Sequence, residues 1–318
     1  MKQMIYDGLK YGYGGFLWSV EKLCGIDAAK KLDVALRFRR KLDLKQPRTL
    51  ADKVSWISLH GLSELEARCT DKWAVRDYVA GKGLGEILIP VCAEAVSRSA
   101  DVDFDKLPEK FVLKATHGCG MNLICTDKSS LDIPAARRKM DRWLKTTYGT
   151  FSPEPHYRNI PHRVYAETCI ADPAELMDYK IHCINGEPAF ILVCGGRDVK
   201  AQISAGVTMD IFDLDWNWLD AVQWYKKHGP GNGSVPRPDN LEELLRVARI
   251  LSKDFDFVRV DLYSVHGKVY FGELTFTPAN GVFPSYKADL LEREGKKLTI
   301  TKDMRRCSDG LNGQGAEN

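Results

Sequence analysis

Residues 257–281, FVRVDLYSVHGKVYFGELTFTPANG, constrain the fold more than any other stretch of the chain. They read as a β-hairpin. Alternate side chains of a strand share a face, so Arg259 and Asp261 point one way and Val258, Val260 and Leu262 the other, into a core. His266-Gly267-Lys268 supplies the turn, and Val269-Tyr270-Phe271 opens the return strand. Glu273 and Thr275 then share a face on that return strand. Two facing carboxylates beside an arginine suit a Mg²⁺ ion bridged to phosphate oxygens. The same pattern also fits a hairpin with a solvated charged face.

An upstream segment, LPEKFVLKATHGCGMN (107–122), bears on that choice. Phe111-Val112-Leu113 is a short apolar strand with Lys114 at its end. His117, Gly118, Cys119 and Gly120 form a glycine-bearing turn before a second strand, Leu123-Ile124-Cys125. Glycines let backbone N–H groups approach a polyphosphate, and lysine adds a compact positive charge. No GxxxxGK[ST] sequence is present, so this is not a Walker-type loop. The strand–loop–strand order also differs from the strand–loop–helix of a dinucleotide fold. Alone, the turn is equally an ordinary hairpin.

Together and in this order, the two segments resemble the ATP-grasp superfamily, and more narrowly the TupA-like ATP-grasp group of bacterial polysaccharide-biosynthesis proteins. The resemblance runs from about Leu50 to about Tyr286. Its marks are DKVSW (52–56), DKWAVRDYV (71–79), LPEKFVLKATHGCG (107–120), RVYAE (163–167), DYKIHCINGEP (178–188) and the hairpin itself. It implies an α+β ATP-grasp fold: two α+β subdomains holding ATP between them, preceded by a helical N-terminal region. It further implies a Mg²⁺-dependent enzyme that joins a carboxylate to an amine through an acyl-phosphate, releasing ADP. The expected partners are a small-molecule or glycan carboxylate, such as a uronic acid of a surface polysaccharide, and an amine or amino acid.

By the same resemblance, Lys72 and Lys114 contact ATP phosphates, and the flap carrying His117, Gly118, Cys119 and Gly120 closes over them. Glu167 marks the hinge whose backbone meets adenine, and Glu175 matches the acidic residue that binds ribose. Asp261 and Glu273 match the Mg²⁺ carboxylates. Arg259 matches the arginine that steadies the acyl-phosphate and the tetrahedral intermediate, and Lys180 reaches phosphate or acceptor. One departure stands out: the usual E-x-N is here Glu273-Leu274-Thr275, and a hydroxyl is a poorer magnesium ligand than an amide carbonyl. Nearby Asn280 is not thereby its substitute. A phosphotransferase acting on a sugar hydroxyl and a non-catalytic nucleotide-binding partner are the competing functions. The intact Lys114, Arg259, Asp261 and Glu273 argue against the second.

The 318 residues suffice for two or three subdomains, divided here as a helical arm (1–45), an N-terminal domain (46–107), a central subdomain (108–195), a C-terminal subdomain (196–301) and a disordered tail (302–318). A first strand is expected at Ile87–Val91, and Lys72 in the first turn of the helix DKWAVRDYVAGK. Asp132 before Ile133-Pro134 marks a helix start. Residues 240–253 read as a helix with leucines on one face. The net charge of +3 offers no case for nucleic acid. Nine dispersed cysteines without a CxxC pair suit free thiols in a reducing, cytoplasmic compartment. Asp7, Lys10, Glu21 and Lys22 interrupt any signal-peptide core. Aromatic residues of the arm, followed by Arg37, Arg39, Arg40 and Lys41, fit either peripheral contact with the inner membrane or an assembly protein, or an arm packed on its own domain. Arg37, Arg39, Arg40, Trp56 and His60 are a candidate surface for an acidic sugar.

Overall fold

The computed structural model describes residues 2–150, 152–172, 176–195 and 207–300, with side chains from residue 12 onward. The tail expected after residue 302 lies outside them. Two helices, α1 (Lys2–Cys24) and α2 (Ile26–Phe38), form the N-terminal arm. α3 (Leu50–His60) opens with a capping box: the Thr49 side chain accepts from the Asp52 N–H, and the Asp52 carboxylate accepts from the Thr49 N–H. Ser63 and Glu66 repeat the device at α4 (Glu64–Thr70), and α5 (Val75–Gly81) follows.

A four-stranded antiparallel sheet comes next, made of β1 (Val91–Val96), β2 (Phe111–Ala115), β3 (Asn122–Cys125) and β4 (Val164–Thr168), in the order β1-β4-β2-β3. The first strand starts later than the sequence suggests. Residues 85–87 form a 3₁₀ turn, and Pro90, which has no N–H to donate, stands just ahead of β1. Its carbonyl instead accepts from the Thr168 N–H at 3.0 Å. α6 (Ile133–Leu144) begins as expected, with the Asp132 carboxylate accepting from the Ala135 N–H at 2.8 Å. Ala136, Met140 and Trp143 of α6 pack on Phe111, Leu113, Ala115, Val164 and Ala166. By alternation, Val112, Lys114, Tyr165 and Glu167 occupy the other face of the sheet.

The larger sheet comprises β5 (Asp178–Ile184), β6 (Glu187–Gly195), β7 (Thr208–Phe212), β8 (Trp218–Leu219), β9 (Gly229–Pro230), β10 (Phe257–Val265) and β11 (Lys268–Thr275). Its order is β11-β10-β5-β6-β7-β8, with β9 parallel to β7. The two sheets therefore part between Thr168 and Asp178, upstream of the boundary at residue 195 expected from sequence, because β5 and β6 pair with β10 and β7.

One face of this sheet presents Val258, Val260, Leu262, Ile181, Ile191 and Val193 to α7 (Leu241–Ser252). Leu241, Leu244, Leu245 and Leu251 of α7 are buried there, each burial contributing about 1.5–3 kcal/mol. The opposite face carries Phe257, Ile184, Phe190 and Leu192, covered by α3 and α8 (Ala288–Lys297). Arg259 and Asp261 follow Phe257 on this second face, so the charges stand where apolar cover gives way. Among the described residues, no helix is long and apolar enough to cross a membrane.

The arm is packed on its own chain. Glu21 meets Arg158 in a two-bond pair (2.7 and 2.6 Å), and Lys30 is fully buried. The surface expected to receive an acidic sugar is largely consumed by internal contacts. Arg37 pairs with Asp33 at 2.9 Å, His60 with Asp27 at 2.8 Å, and Trp56 is buried. Arg40 spends its guanidinium on backbone carbonyls.

Candidate active site

Register sets the centre of the site. β10 and β11 pair so that Arg259 faces Thr275 and Asp261 faces Glu273. The next pair is Leu262 with Phe271, so Gly272 is an extra, bulged residue. The bulge reverses the alternation: Phe271 enters the core while Glu273, two residues on, lies with Asp261. Only glycine fits there, since a Cβ would sit 2.9 Å from the Asp261 carbonyl oxygen. Sequence reading missed Gly272. Its signal was a glycine inside a strand where the apolar parity changes.

The charges interlock. Arg259 donates from Nε and Nη2 to the two oxygens of Asp261 (2.6 and 2.7 Å), and from Nη2 to Thr275 Oγ1 (3.1 Å) and Glu273 Oε1 (3.3 Å). The Thr275 hydroxyl donates to Glu273 Oε1 at 3.0 Å, so it orients that carboxylate rather than standing idle on the strand. Lys180, the register partner of Asp261 on β5, pairs with Asp261 and with Asp178 Oδ2 (2.8 Å). Burial pulls the Lys180 pKa down, but Asp178 and Asp261 outweigh it and hold the ammonium above the usual lysine range. Lys72 Nζ reaches Glu273 Oε2 at 3.1 Å. Burial favours protonated Glu273, yet Lys72, Arg259 and Lys180 reverse this and keep its pKa well below the ordinary value. Beside Arg259 on β5, its register partner His182 is buried and its pKa pushed far down, by desolvation first and by the Arg259 charge second.

Lys72 arrives by a different route from the one expected. α5 begins only at Val75, and Lys72 lies in a turn before it. The Asp71 carboxylate accepts from the N–H groups of Trp73 (2.8 Å) and Ala74 (3.3 Å), which fixes that turn ahead of the helix.

A second cluster lies on the face of the smaller sheet opposite α6. Lys114 Nζ meets Glu167 Oε2 at 2.5 Å, and Arg76 Nη1 meets Glu167 Oε1 at 3.1 Å. Arg76 and Asp178 are further charges the sequence reading did not single out. Each is a partner of a predicted residue, which one-dimensional spacing does not reveal. The Lys72 N–H donates to the Thr116 carbonyl at 3.1 Å, tying the turn that bears Lys72 to the end of β2.

In the turn between β2 and β3, Cys119 is exposed and Gly120 is left-handed at φ 69°. A Cβ on Gly118 would crowd Met121 Sδ at 2.8 Å and the Tyr148 ring at 3.1 Å. His117 does not face outward with them. It is buried, bonded through Nε2 to the Trp143 carbonyl (2.9 Å), and stacked on His162 with ring centroids 4.0 Å apart. Burial holds its pKa at about 4. It anchors the base of the turn. Asn280 also points elsewhere, with Nδ2 donating to Asp33 Oδ2 at 2.7 Å. Glu175 lies outside the described residues.

The donor set fits magnesium. Among the described residues, no three His, Cys, Asp or Glu side chains converge as a complete metal cage. Asp261 and Glu273 would supply hard carboxylate oxygens of the kind Mg²⁺ takes, oxygens that here meet Arg259, Lys180 and Lys72.

The sequence model of the family described as TupA-like ATPgrasp matches residues 52–294. No curated protein sequence matches the chain. Among solved structures, the chain is similar to D-alanine–D-alanine ligase from Bacillus anthracis complexed with ATP, at 14% identity over 72% of this chain and 61% of that one, TM-score 0.42. It is also similar to a D-cycloserine synthetase (14% identity, 72% and 70% covered, TM-score 0.42). A third is D-alanyl-alanine synthetase A from Vibrio cholerae O1 (12% identity, 77% and 67% covered, TM-score 0.44). The chain spans 61–62% of the length of the two Bacillus anthracis ligase structures. The family match covers most of the sequence, and the chain belongs to the TupA-like ATP-grasp family.

Proposed function

We propose that the chain is an ATP-dependent ligase that joins a carboxylate to an amine through an acyl-phosphate. The observation that carries this reading is the convergence of Lys72, Lys180, Arg259, Asp261 and Glu273 at one end of the larger sheet. A carboxylate oxygen attacking the γ-phosphorus of ATP brings two anions together, and such a reaction needs fixed positive charge more than covalent help. Lys114 and Lys72 bind the triphosphate, with the Gly118–Gly120 turn closing over it. Asp261 and Glu273 would hold Mg²⁺, which would supply charge neutralisation for the reacting phosphate. Arg259, its Nε–Nη2 fork held by Asp261, brings a fixed, planar guanidinium charge to the acyl-phosphate and to the oxyanion that forms when the amine attacks. Lys180 holds Asp261 in place through a buried ion pair.

The carboxylate partner proposed is a uronic acid of a surface polysaccharide or its precursor, in keeping with the resemblance to polysaccharide-biosynthesis proteins. The test is ADP release with Mg·ATP, screening amino acids against uronic acids and oligosaccharides, with mass spectrometry of the product. Amine-dependent ADP release with a new amide is expected. Stoichiometric AMP and pyrophosphate would overturn the acyl-phosphate route, and a phosphorylated sugar formed without any amine would mean a phosphotransferase.

A further inference from the structure

The residues after the catalytic hairpin take an unusual path. Ala279, Asn280, Gly281 and Phe283 all have φ between 49° and 71°. Three of the four carry a side chain, so this left-handed run is strained and persists only where surrounding contacts enforce it. Ser55, Glu154 and Gln223 each bond this stretch, at Gly281, Thr277 and Pro284, and the cations that bond it come from the N-terminal arm. Lys30 Nζ donates to the Asn280 carbonyl (2.7 Å) and to Asn280 Oδ1 (2.5 Å), and Asn280 Nδ2 donates to Asp33. Arg40 donates to the carbonyls of Val282 (3.1 Å), Phe283 (3.3 Å), Pro284 (3.4 Å) and Tyr286 (3.1 Å). Both cations precede residue 52, where the family match begins. Lys30 has no exposed surface, and a buried ammonium is costly unless its bonds are made.

The far end of this strap returns to the site. The Tyr286 hydroxyl lies 3.0 Å from His182 Nε2. His182 Nδ1 faces the Lys180 carbonyl at 3.2 Å and must donate there, which leaves Nε2 to accept from Tyr286. His182 is the register partner of Arg259. We propose that Lys30 and Arg40 are positioning residues, a two-cation clamp on the arm that fixes residues 277–286 and, through Tyr286 and His182, the placement of Arg259. The proposal rests on reading the hairpin cluster as the active centre.

The test compares the full-length wild type with Lys30→Met, Arg40→Met and Arg40→Lys. It measures amide hydrogen exchange across 277–286, Mg·ATP affinity by calorimetry, and kcat and KM for ADP release. Lys30→Met and Arg40→Met should speed strap exchange at least about tenfold while β5 and β6 stay protected. They should lower kcat at least about tenfold with KM for ATP and ATP affinity within about twofold. Arg40→Lys, which keeps a charged donor, should recover part of both losses. Strap exchange unchanged in the Met variants would overturn the clamp, as would a loosened strap with wild-type kcat. If Lys30→Met does not fold, the two Arg40 variants decide the question by the same criteria. A wild type that fails to bind Mg·ATP would sink the ligase reading and the positioning role with it. An active wild type with indifferent variants would sink the clamp alone.

Discussion

The two site carboxylates should respond very differently to loss of charge. Asp261 is 2% exposed and takes the fork of Arg259 together with the ammonium of Lys180. Asp261→Asn keeps the volume but leaves Lys180 to Asp178 alone and Arg259 to the longer bonds with Glu273 and Thr275, and the new N–H₂ group points a donor at both buried cations. Breaking a buried pair by neutralising one partner costs about 3–5 kcal/mol. For a chain of this size that lowers Tm by about 5–8 °C. The Glu273 side chain is 28% exposed, and Lys72 and Arg259 keep solvent or other partners when its charge is removed. Glu273→Gln should therefore cost about 1.5–3 kcal/mol, the scale of one charged hydrogen bond, and about 2–4 °C. Both should abolish ADP release at saturating Mg²⁺. Paired thermal melts with turnover assays on the same preparations provide the measurement. Equal shifts in Tm, or an Asp261→Asn shift under about 2 °C, would show that Asp261 does not hold the two cations.

Three further outcomes are expected. Lys114→Ala should weaken Mg·ATP binding by about 1.5–3 kcal/mol, read by calorimetry; unchanged affinity would remove Lys114 from the phosphate site. Arg259→Lys keeps the charge but loses the two-bond geometry, so kcat should fall roughly 10²-fold with ATP affinity nearly constant, and equal losses in both would contradict a transition-state role. The Lys72–Glu273 pair should have a pH signature: the pKa of Glu273 is depressed in the folded protein, so its contribution to stability is complete above its ordinary value near 4.5 and disappears as pH falls below it. Lys72 is raised, so its contribution is lost only above about 10.5. Lys72→Met should flatten the acid limb of a Tm–pH profile, and an unaltered limb would assign it to other carboxylates.

The charged face of the hairpin and several helix boundaries were legible in the sequence because their causes are local. A two-residue period separates Arg259 and Asp261 from Val258 and Val260, and the structure keeps that separation. Asp132 caps its helix, and the leucines from Leu241 to Leu251 line one face, for reasons contained within a turn or two of chain. What required the tertiary structure was the choice of partners. Nothing near Lys72 says that its ammonium ends on Glu273, 201 positions later. The parity of Val269 and Phe271 would put Glu273 on their side of the sheet, and only the bulge at Gly272 turns it toward Asp261. Arg40 reads as one more exposed base beside Arg37 and Arg39, yet it is folded over a row of carbonyls whose strained path becomes visible only in three dimensions. Backbone periodicity fixes the direction in which a side chain leaves the chain. Which charge neutralises it depends on strand pairing and loop closure, and a buried cation and a solvated one are the same letter until those are known.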